Sequence, residues 1–385
     1  MGSTAVVVGG GIGGLAAAIG LRRIGRQVTV VERAAVLDDA GAGISLAANG
    51  MRALDELGVG EAVRAASRGQ YSGGTRTPEG GWLARMDGAA LEKAVGTPIM
   101  GIPRATLHRL LRESLPAETL LVGSEACSIR QIGPGTVRVG CGDTVLDADL
   151  VVAADGIGSR VRDRLFPVHP GPVYSGSTVL RAITGQAVAL RTDFELTWGH
   201  GVEFGHIAFQ DGRAEWHAVL NLPAGTRFTD PLAEMRRRFH GWHDPIPALL
   251  DATRPGSVLH HDVSELRTPL PSYTVGRIAL LGDAAHAMTP NLGQGACQAL
   301  EDAVTLAAAV GAEPTVEAAL ARYDAERRPR SQAVARAARQ AGRMGQQLSH
   351  PLTVALRNTA MRLTPSRAAV HMILRHHGWV PPRLS

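Results

Sequence analysis

The chain has 385 residues, 45% of them hydrophobic and 19% charged, which excludes a disordered protein and suits two packed units. No stretch approaches the roughly 20 apolar residues that cross a bilayer, and three scattered cysteines exclude a disulfide framework or a metal site. The formal charge of +5 collects largely between Arg322 and Arg383 at helical spacing, which describes solvated helix faces and no nucleic-acid surface.

In chain order, residues 4–9 form an apolar strand, 12–24 a helix rich in Ala, Leu and Ile, and 27–32 a second apolar strand. Together they make a βαβ unit with parallel neighbouring strands. The apolar run 5–8 follows no basic segment, so it reads as a strand and not a signal peptide, and a cytoplasmic location is expected. Residues 104–115 place Leu107, Leu110, Leu111 and Leu115 on one helix face. A buried strand at 149–154 leads through a Gly-containing turn into a helix from about Ser159.

The texture then changes. Short strands fill 173–222, and Asp211-Gly212 between two apolar runs predicts a β-hairpin. An apolar strand returns at 277–281, followed by a helix at 294–310. The arginine-rich stretch 315–344 is helical, and Pro329 is expected to kink or break it. In the tail, Leu352, Leu356, Met361, Leu363, Ile373 and Leu374 lie among arginines. A membrane-surface helix has this pattern, but short helices broken at Pro351 and Pro365 and packed on the body are the preferred reading.

The order predicts a Rossmann-like α/β domain interrupted by a mainly antiparallel β domain, with C-terminal helices. The expected division is 1–72, 100–172 and 277–345 for a nucleotide domain, 73–99 and 173–276 for a substrate domain, and 346–385 for a helical tail.

Three motifs carry chemistry. Gly9-Gly10-Gly11-Ile12-Gly13-Gly14 matches G-x-G-x-x-G between a strand and a helix. Gly9 permits the tight turn, Gly11 lets a pyrophosphate approach the backbone, and Gly14 lets the helix pack closely. Glu32 ends the second strand, where a carboxylate can accept hydrogen bonds from an adenosine ribose. By itself this leaves NAD and FAD both open. The other two motifs run from Asp149 through Asp155-Gly156 to Ser159 and Arg162, and from Gly276 through Gly282-Asp283 to His286. The last continues as Pro290-Asn-Leu-Gly293-Gln294-Gly295-Ala296. Each delivers an Asp from an apolar strand into a turn of small residues, and the third opens a helix whose N–H groups suit an anionic ligand.

In this order and spacing the motifs resemble the group A flavoprotein monooxygenases, the p-hydroxybenzoate hydroxylase-like family. The resemblance spans nearly the whole chain. It implies FAD, with Glu32 and Arg33 at the adenosine ribose, Asp283 at the ribityl chain, and Gly293, Gln294, Gly295 and Ala296 along the isoalloxazine and pyrophosphate. It further implies Arg104 and the Gly43-Ile44 loop beside the flavin, and Asp155 in a motif linked to both FAD and NAD(P)H. The implied reaction is reduction by NADH or NADPH, capture of O2 as a C4a-hydroperoxide, and hydroxylation of an aromatic, phenol-like or polycyclic small molecule. An FAD-dependent epoxidase and a non-catalytic FAD-binding partner protein are the alternatives. A halogenase would need an active-site lysine, and the sole lysine, Lys93, lies outside the motifs.

Deprotonating a phenol-like ring needs a base, and His217 on the predicted hairpin is the candidate. Alternation places Glu215, His217 and Val219 on one face and Trp216, Ala218 and Leu220 on the other, without saying which face meets the flavin. Arg181, Glu203, Phe204, His206, Trp216 and Pro290 are the expected substrate-side residues. Glu203 stands about where relatives that bind anionic rings often carry a positively charged residue, which weakens the case for a small carboxylated aromatic substrate. A structural hydrogen bond is expected of His286.

Overall fold

The computed structural model describes residues 3–37, 41–364 and 374–384; Pro365 and Ile373 of the sequence reading lie outside them. Strand Thr4–Val8, helix Ile12–Arg23 and strand Gln27–Val31 form the expected βαβ unit, with Val6 opposite Thr29 in parallel register. The six-stranded sheet runs Thr274–Val275, Ile278–Leu280, Leu150–Ala153, Thr4–Val8, Gln27–Val31, Leu120–Leu121, with only the first strand antiparallel. Its central strands are apolar on both sides because both faces are covered. Helices Ile12–Arg23 and Gly295–Ala312 cross closely on one face, where a Cβ at Gly20 would stand 2.9 Å from the Ala307 Cβ. On the other lies a three-stranded meander, Ser128–Gly133, Thr136–Cys141 and Thr144–Ala148, which buries Val137 and Val139. The sequence reading did not resolve this meander. The turns after Val8, Val31, Ala153 and Leu280 all leave neighbouring parallel strands at the same sheet edge.

A second, seven-stranded sheet runs Leu259–Glu265, Val173–Ile183, Ala214–Asn221, Val202–Ala208, Phe194–Trp198, Ser72–Arg76, Trp82–Asp87. It is antiparallel throughout except where Ser72–Arg76 joins Phe194–Trp198 in parallel. The expected hairpin is present, with Gly205 opposite His217. One face packs on helices Pro231–Arg238 and Ile246–Asp251, around Phe204, Trp216 and Phe239. Phe204 stacks on Trp216 at 5.5 Å and meets Phe239 edge-on at 4.9 Å.

The opposite face turns toward a small sheet of Gly43–Leu46, Ile99–Pro103 and Arg68–Gln70. Gly43 sets that approach, since a Cβ there would stand 2.7 Å from the Glu215 Cβ.

The expectation that Pro329 could break its helix needs correction. Val316–Met344 is one helix with Pro329 inside it. The missing N–H weakens it locally, but Arg328 pairs with Asp324, and Arg327 and Arg330 reach Glu301, clamping the helix on both sides of the proline. Pro351, by contrast, stands at the expected break: the preceding helix ends at Met344, and Pro351 opens helix Pro351–Leu363 at its first turn, where no N–H is needed.

Candidate active site

The glycine turn divides into residues the protein needs and residues it does not. Gly9 has φ +107° and a Cβ there would lie 2.4 Å from the Ala154 carbonyl oxygen; at Gly14 it would lie 1.9 Å from the Gly9 oxygen. Gly13 would meet Leu281 at 2.7 Å. At Gly9 and Gly14 a side chain cannot coexist with the turn, because the clash is with backbone; at Gly13 it would instead push on the Leu281 side chain. At Gly11, Gly293 and Gly295, by contrast, a Cβ would meet nothing within 4 Å. Gly293 has φ +61°, so its left-handed backbone already calls for glycine. Neither packing nor conformation explains Gly11 and Gly295, whereas a ligand pressed onto bare backbone does.

Glu32 is fixed beside the turn: one carboxylate oxygen accepts from Gly10 N–H at 2.7 Å and the other from Ala34 N–H at 2.8 Å. Arg33 is exposed next to it. His108, which sequence reasoning missed, is buried with Nε2 2.7 Å from the Gly10 carbonyl oxygen. Its only signal was its place one turn after Arg104 on the Arg104–Glu113 helix.

At the same edge, one Asp155 oxygen accepts from Val161 N–H at 3.2 Å, while its other oxygen is buried without a partner among the described residues. Ser159 caps the following helix by accepting from Arg162 N–H at 2.9 Å. Asp283 opens onto the cleft at the start of the Asp283–His286 turn. The turn is held from behind, where Asp302 accepts from Gly282 N–H at 2.9 Å, His286 Nε2 at 2.6 Å and Arg327 Nε at 2.7 Å. Burial works against the Asp302 charge, but His286 and Arg327 hold its pKa down to about 2.

Glu301, Arg330, Asn49, Gln298 and Gln294 extend this buried network. Gln294 therefore turns its side chain inward, accepting from Asn49 at 2.8 Å, and what it can offer a ligand is main chain. The implied FAD fits these residues. Bare glycine backbone would meet its phosphates, Asp155 has an unused acceptor among the described residues, and Asp283 is exposed at the start of its turn.

The seven-stranded sheet completes the site from the other side. His217 Nδ1 lies 3.2 Å from Glu215 and Nε2 3.7 Å from Glu203, with Arg181 directly opposite on the neighbouring strand. Burial alone would lower the His217 pKa, yet Glu215 and Glu203 together raise it above its usual value. Burial pushes the Glu203 carboxyl up, and Trp198 Nε1 donates to it at 2.5 Å. Arg104 lies within electrostatic reach of both Arg181 and Asp283, and it touches the loop before Gly43 through Arg104 N–H to Ala42 O at 2.9 Å. Gln346 ties Asn291 to the sheet through Ser177, bringing the Pro290 turn to the same side.

Three expectations are corrected here. Phe204, His206 and Trp216 occupy the other face of the sheet, because strand alternation sends them away from Glu203, Gly205 and His217. Trp216 is fully buried and donates to Thr253 at 2.7 Å. His206 is buried against Thr192, and burial depresses its pKa to about 4. The residue that reasoning from sequence undervalued is Glu215, the direct partner of His217. Lys93 is exposed on helix Gly88–Val95.

Comparison with known proteins agrees with this geometry. The FAD binding domain family model matches residues 3–208 and 256–338. The chain is 38% identical over 348 residues to an aurachin C monooxygenase/isomerase of Stigmatella aurantiaca, covering 90% of each. It is also 38% identical to a 3-amino-4-hydroxybenzoate 2-monooxygenase of Streptomyces platensis, covering 87% of each. Klebsiella pneumoniae HpxO, solved with FAD and uric acid, superposes with a TM-score of 0.91 at 26% identity over 99% of this chain and 97% of that one. The chain belongs to the FAD binding domain family, and it is an FAD-dependent monooxygenase of the aromatic-hydroxylase type that uses NAD(P)H and O2.

Proposed function

We propose that this enzyme hydroxylates an electron-rich aromatic small molecule, phenol-like or fused-ring, that presents a ring O–H or N–H and carries no carboxylate. The observation behind this is the setting of His217 between two buried carboxylates on the sheet face that meets Gly43. Glu215 holds the Nδ1 side, which leaves the Nε2 lone pair, on the side of the ring over Gly205, as the proton acceptor. Glu203, beyond hydrogen-bond range of Nε2, disfavours a second negative charge there. Arg181, in register with His217, would stabilise the oxyanion that proton removal creates. Uric acid, the molecule bound in HpxO, is likewise a fused ring with N–H groups and no carboxylate.

Bound FAD, reduced by NAD(P)H, supplies the oxygen-transfer chemistry. We assign Gly9, Gly11, Gly13, Gly14, Glu32, Arg33, Gly43, Ile44, Arg104, Asp155, Asp283 and Gly293 to Ala296 to holding it, with Gly13 and Gly14 acting through the turn they permit. Pro290 belongs to the substrate side. Residues 1–72, 100–172 and 277–345 then serve the cofactor, 73–99 and 173–276 the substrate. We place the enzyme in the cytoplasm, where its three unpaired cysteines suit a reducing compartment.

The test is NAD(P)H oxidation and O2 uptake with the flavin-loaded enzyme. Matched aromatic pairs differing only by a ring carboxylate against a carboxamide are compared. Neutral members should stimulate turnover more strongly. A preference for the carboxylates, or no stimulation by any aromatic compound, overturns the proposal.

A further inference from the structure

Helix Pro351–Leu363 is attached to the body by one side only. Val354 is buried, and Arg357 donates to Gly345 O at 2.8 Å while lying over the Trp198 ring at 5.1 Å. At about 100° per residue, Leu352, Leu356 and Leu363 fall within roughly 40° of one another on the opposite side. They are 74%, 71% and 77% exposed. Exposed Ala355 and Thr359 lie between them, so the outward face is a leucine stripe interrupted by a single threonine hydroxyl. Isolated exposed leucines need no account, but three aligned on one helix do.

The rim of the stripe is cationic. Arg362 is exposed at its edge and lies 3.9 Å from where a Cβ of Gly81 would stand. The helix rests on strand Trp82–Asp87, whose exposed Arg85 lies over the Trp82 ring at 4.8 Å. Among the described residues neither Arg362 nor Arg85 pairs with a carboxylate. The acid on that strand, Asp87, is turned to cap Ala90 N–H. Further, the sequence from Arg327 to Ser385 contains no aspartate or glutamate at all.

We propose that helix Pro351–Leu363 docks the enzyme peripherally on an anionic lipid surface. Leu352, Leu356 and Leu363 enter the headgroup–acyl boundary, and Arg362 and Arg85 meet lipid phosphates. An apolar stripe with a basic rim and no acids has the chemistry of an interfacial helix. Among the described residues no helix is long and apolar enough to cross a membrane, so the contact is one of lying on the surface.

The experiment is co-sedimentation of flavin-loaded full-length protein with vesicles of phosphatidylcholine, with and without phosphatidylglycerol. The protein should pellet with the phosphatidylglycerol vesicles, far less with phosphatidylcholine alone, and be released by high salt. The triple variant Leu352→Ser/Leu356→Ser/Leu363→Ser should lose on the order of a hundredfold in partitioning at an unchanged melting temperature. Arg362→Glu with Arg85→Glu should abolish the preference for phosphatidylglycerol while keeping flavin content. Absence of vesicle binding, or equal binding by the triple variant, overturns the proposal. So does a marked fall in the triple variant's melting temperature, which would mean that the protein itself covers the stripe. A wild-type dimer that dissociates in the triple variant would assign the face to a second copy and overturn it equally.

Discussion

The two halves of the proposed active site are made of different material. At the edge of the parallel sheet the cofactor side is largely main chain: glycines at 9, 11, 14, 293 and 295, with Glu32, Asp155 and Asp283 standing where strands end. Across the cleft, the seven-stranded sheet offers side chains, with His217, Glu203, Glu215 and Arg181 gathered from three strands by register. A site made of backbone is damaged by adding atoms. A site made of side chains is damaged by removing them. Substitutions of the two kinds therefore test whether the halves differ as described.

The largest effect is expected at Gly14. An alanine methyl would fall 1.9 Å from the Gly9 oxygen, so Gly14→Ala should prevent the turn from closing and yield colourless, poorly folded protein. Gly11→Ala is the contrasting change, because no protein atom is near. It should keep the melting temperature of the flavin-free protein and weaken FAD binding by about tenfold to a hundredfold, the typical penalty of an intruding methyl. Flavin absorbance and thermal unfolding read the two apart. If Gly11→Ala retains FAD at full affinity, the open backbone is not a ligand surface.

On the sheet side, His217→Asn should leave the flavin spectrum intact and lower kcat by about 10²–10⁴-fold, the usual contribution of a positioned base. Glu215→Gln sharpens this through pH. The proposed His217 base acts when neutral, so kcat/KM should rise as pH passes upward through its pKa. Glu215 raises that pKa, and removing its charge must move the rise to lower pH. A rise that stays in place, or moves upward, excludes His217 as the titrating group.

Behind the cofactor edge, Arg327→Met should destabilise the fold by about 3–5 kcal/mol in denaturant titration, because Asp302 and Glu301 lose a buried counter-charge. Flavin content should fall with it, since Asp302 also holds the Gly282 N–H beside Asp283. Unchanged stability would show that His286 and Arg330 suffice.

These contrasts explain what could be read before the structure was known. Gly9 to Gly14, Glu32, Asp155 and Asp283 were legible because each is a short-range pattern: a strand, then a turn only small residues permit. The Arg327–Asp302–His286 cluster was not, because its members come from different elements and no local spacing marks them. His286 alone was expected to be structural, from its place beside Asp283. On the hairpin, alternation correctly separated His217 from Trp216, but choosing the inward face required Gly43, which is far away in sequence. Phe204, His206 and Trp216 were placed at the substrate on aromatic and polar character alone; the two helices at 231–238 and 246–251 claimed Phe204 and Trp216 for the core, and His206 is buried against Thr192 on the same face. Pro329 failed as a breaker because Arg327, Arg328 and Arg330 hold the helix on either side.

The smallest expected effect tests that face assignment directly. Trp216→Phe keeps a ring against Phe204 but removes the indole N–H that reaches Thr253 Oγ1 at 2.7 Å. The Thr253 hydroxyl still donates to Leu249 O at 2.8 Å, so no buried donor is stranded. Stability should therefore fall by only about 1–2 kcal/mol, one lost buried hydrogen bond plus a small void. Turnover and KM should stay at wild-type values, because the Trp216 ring lies on the face turned away from His217. A change in KM or kcat of more than a few-fold at unchanged melting temperature would place Trp216 at the substrate. It would equally require that the hairpin present its other face, and so take His217 out of the site.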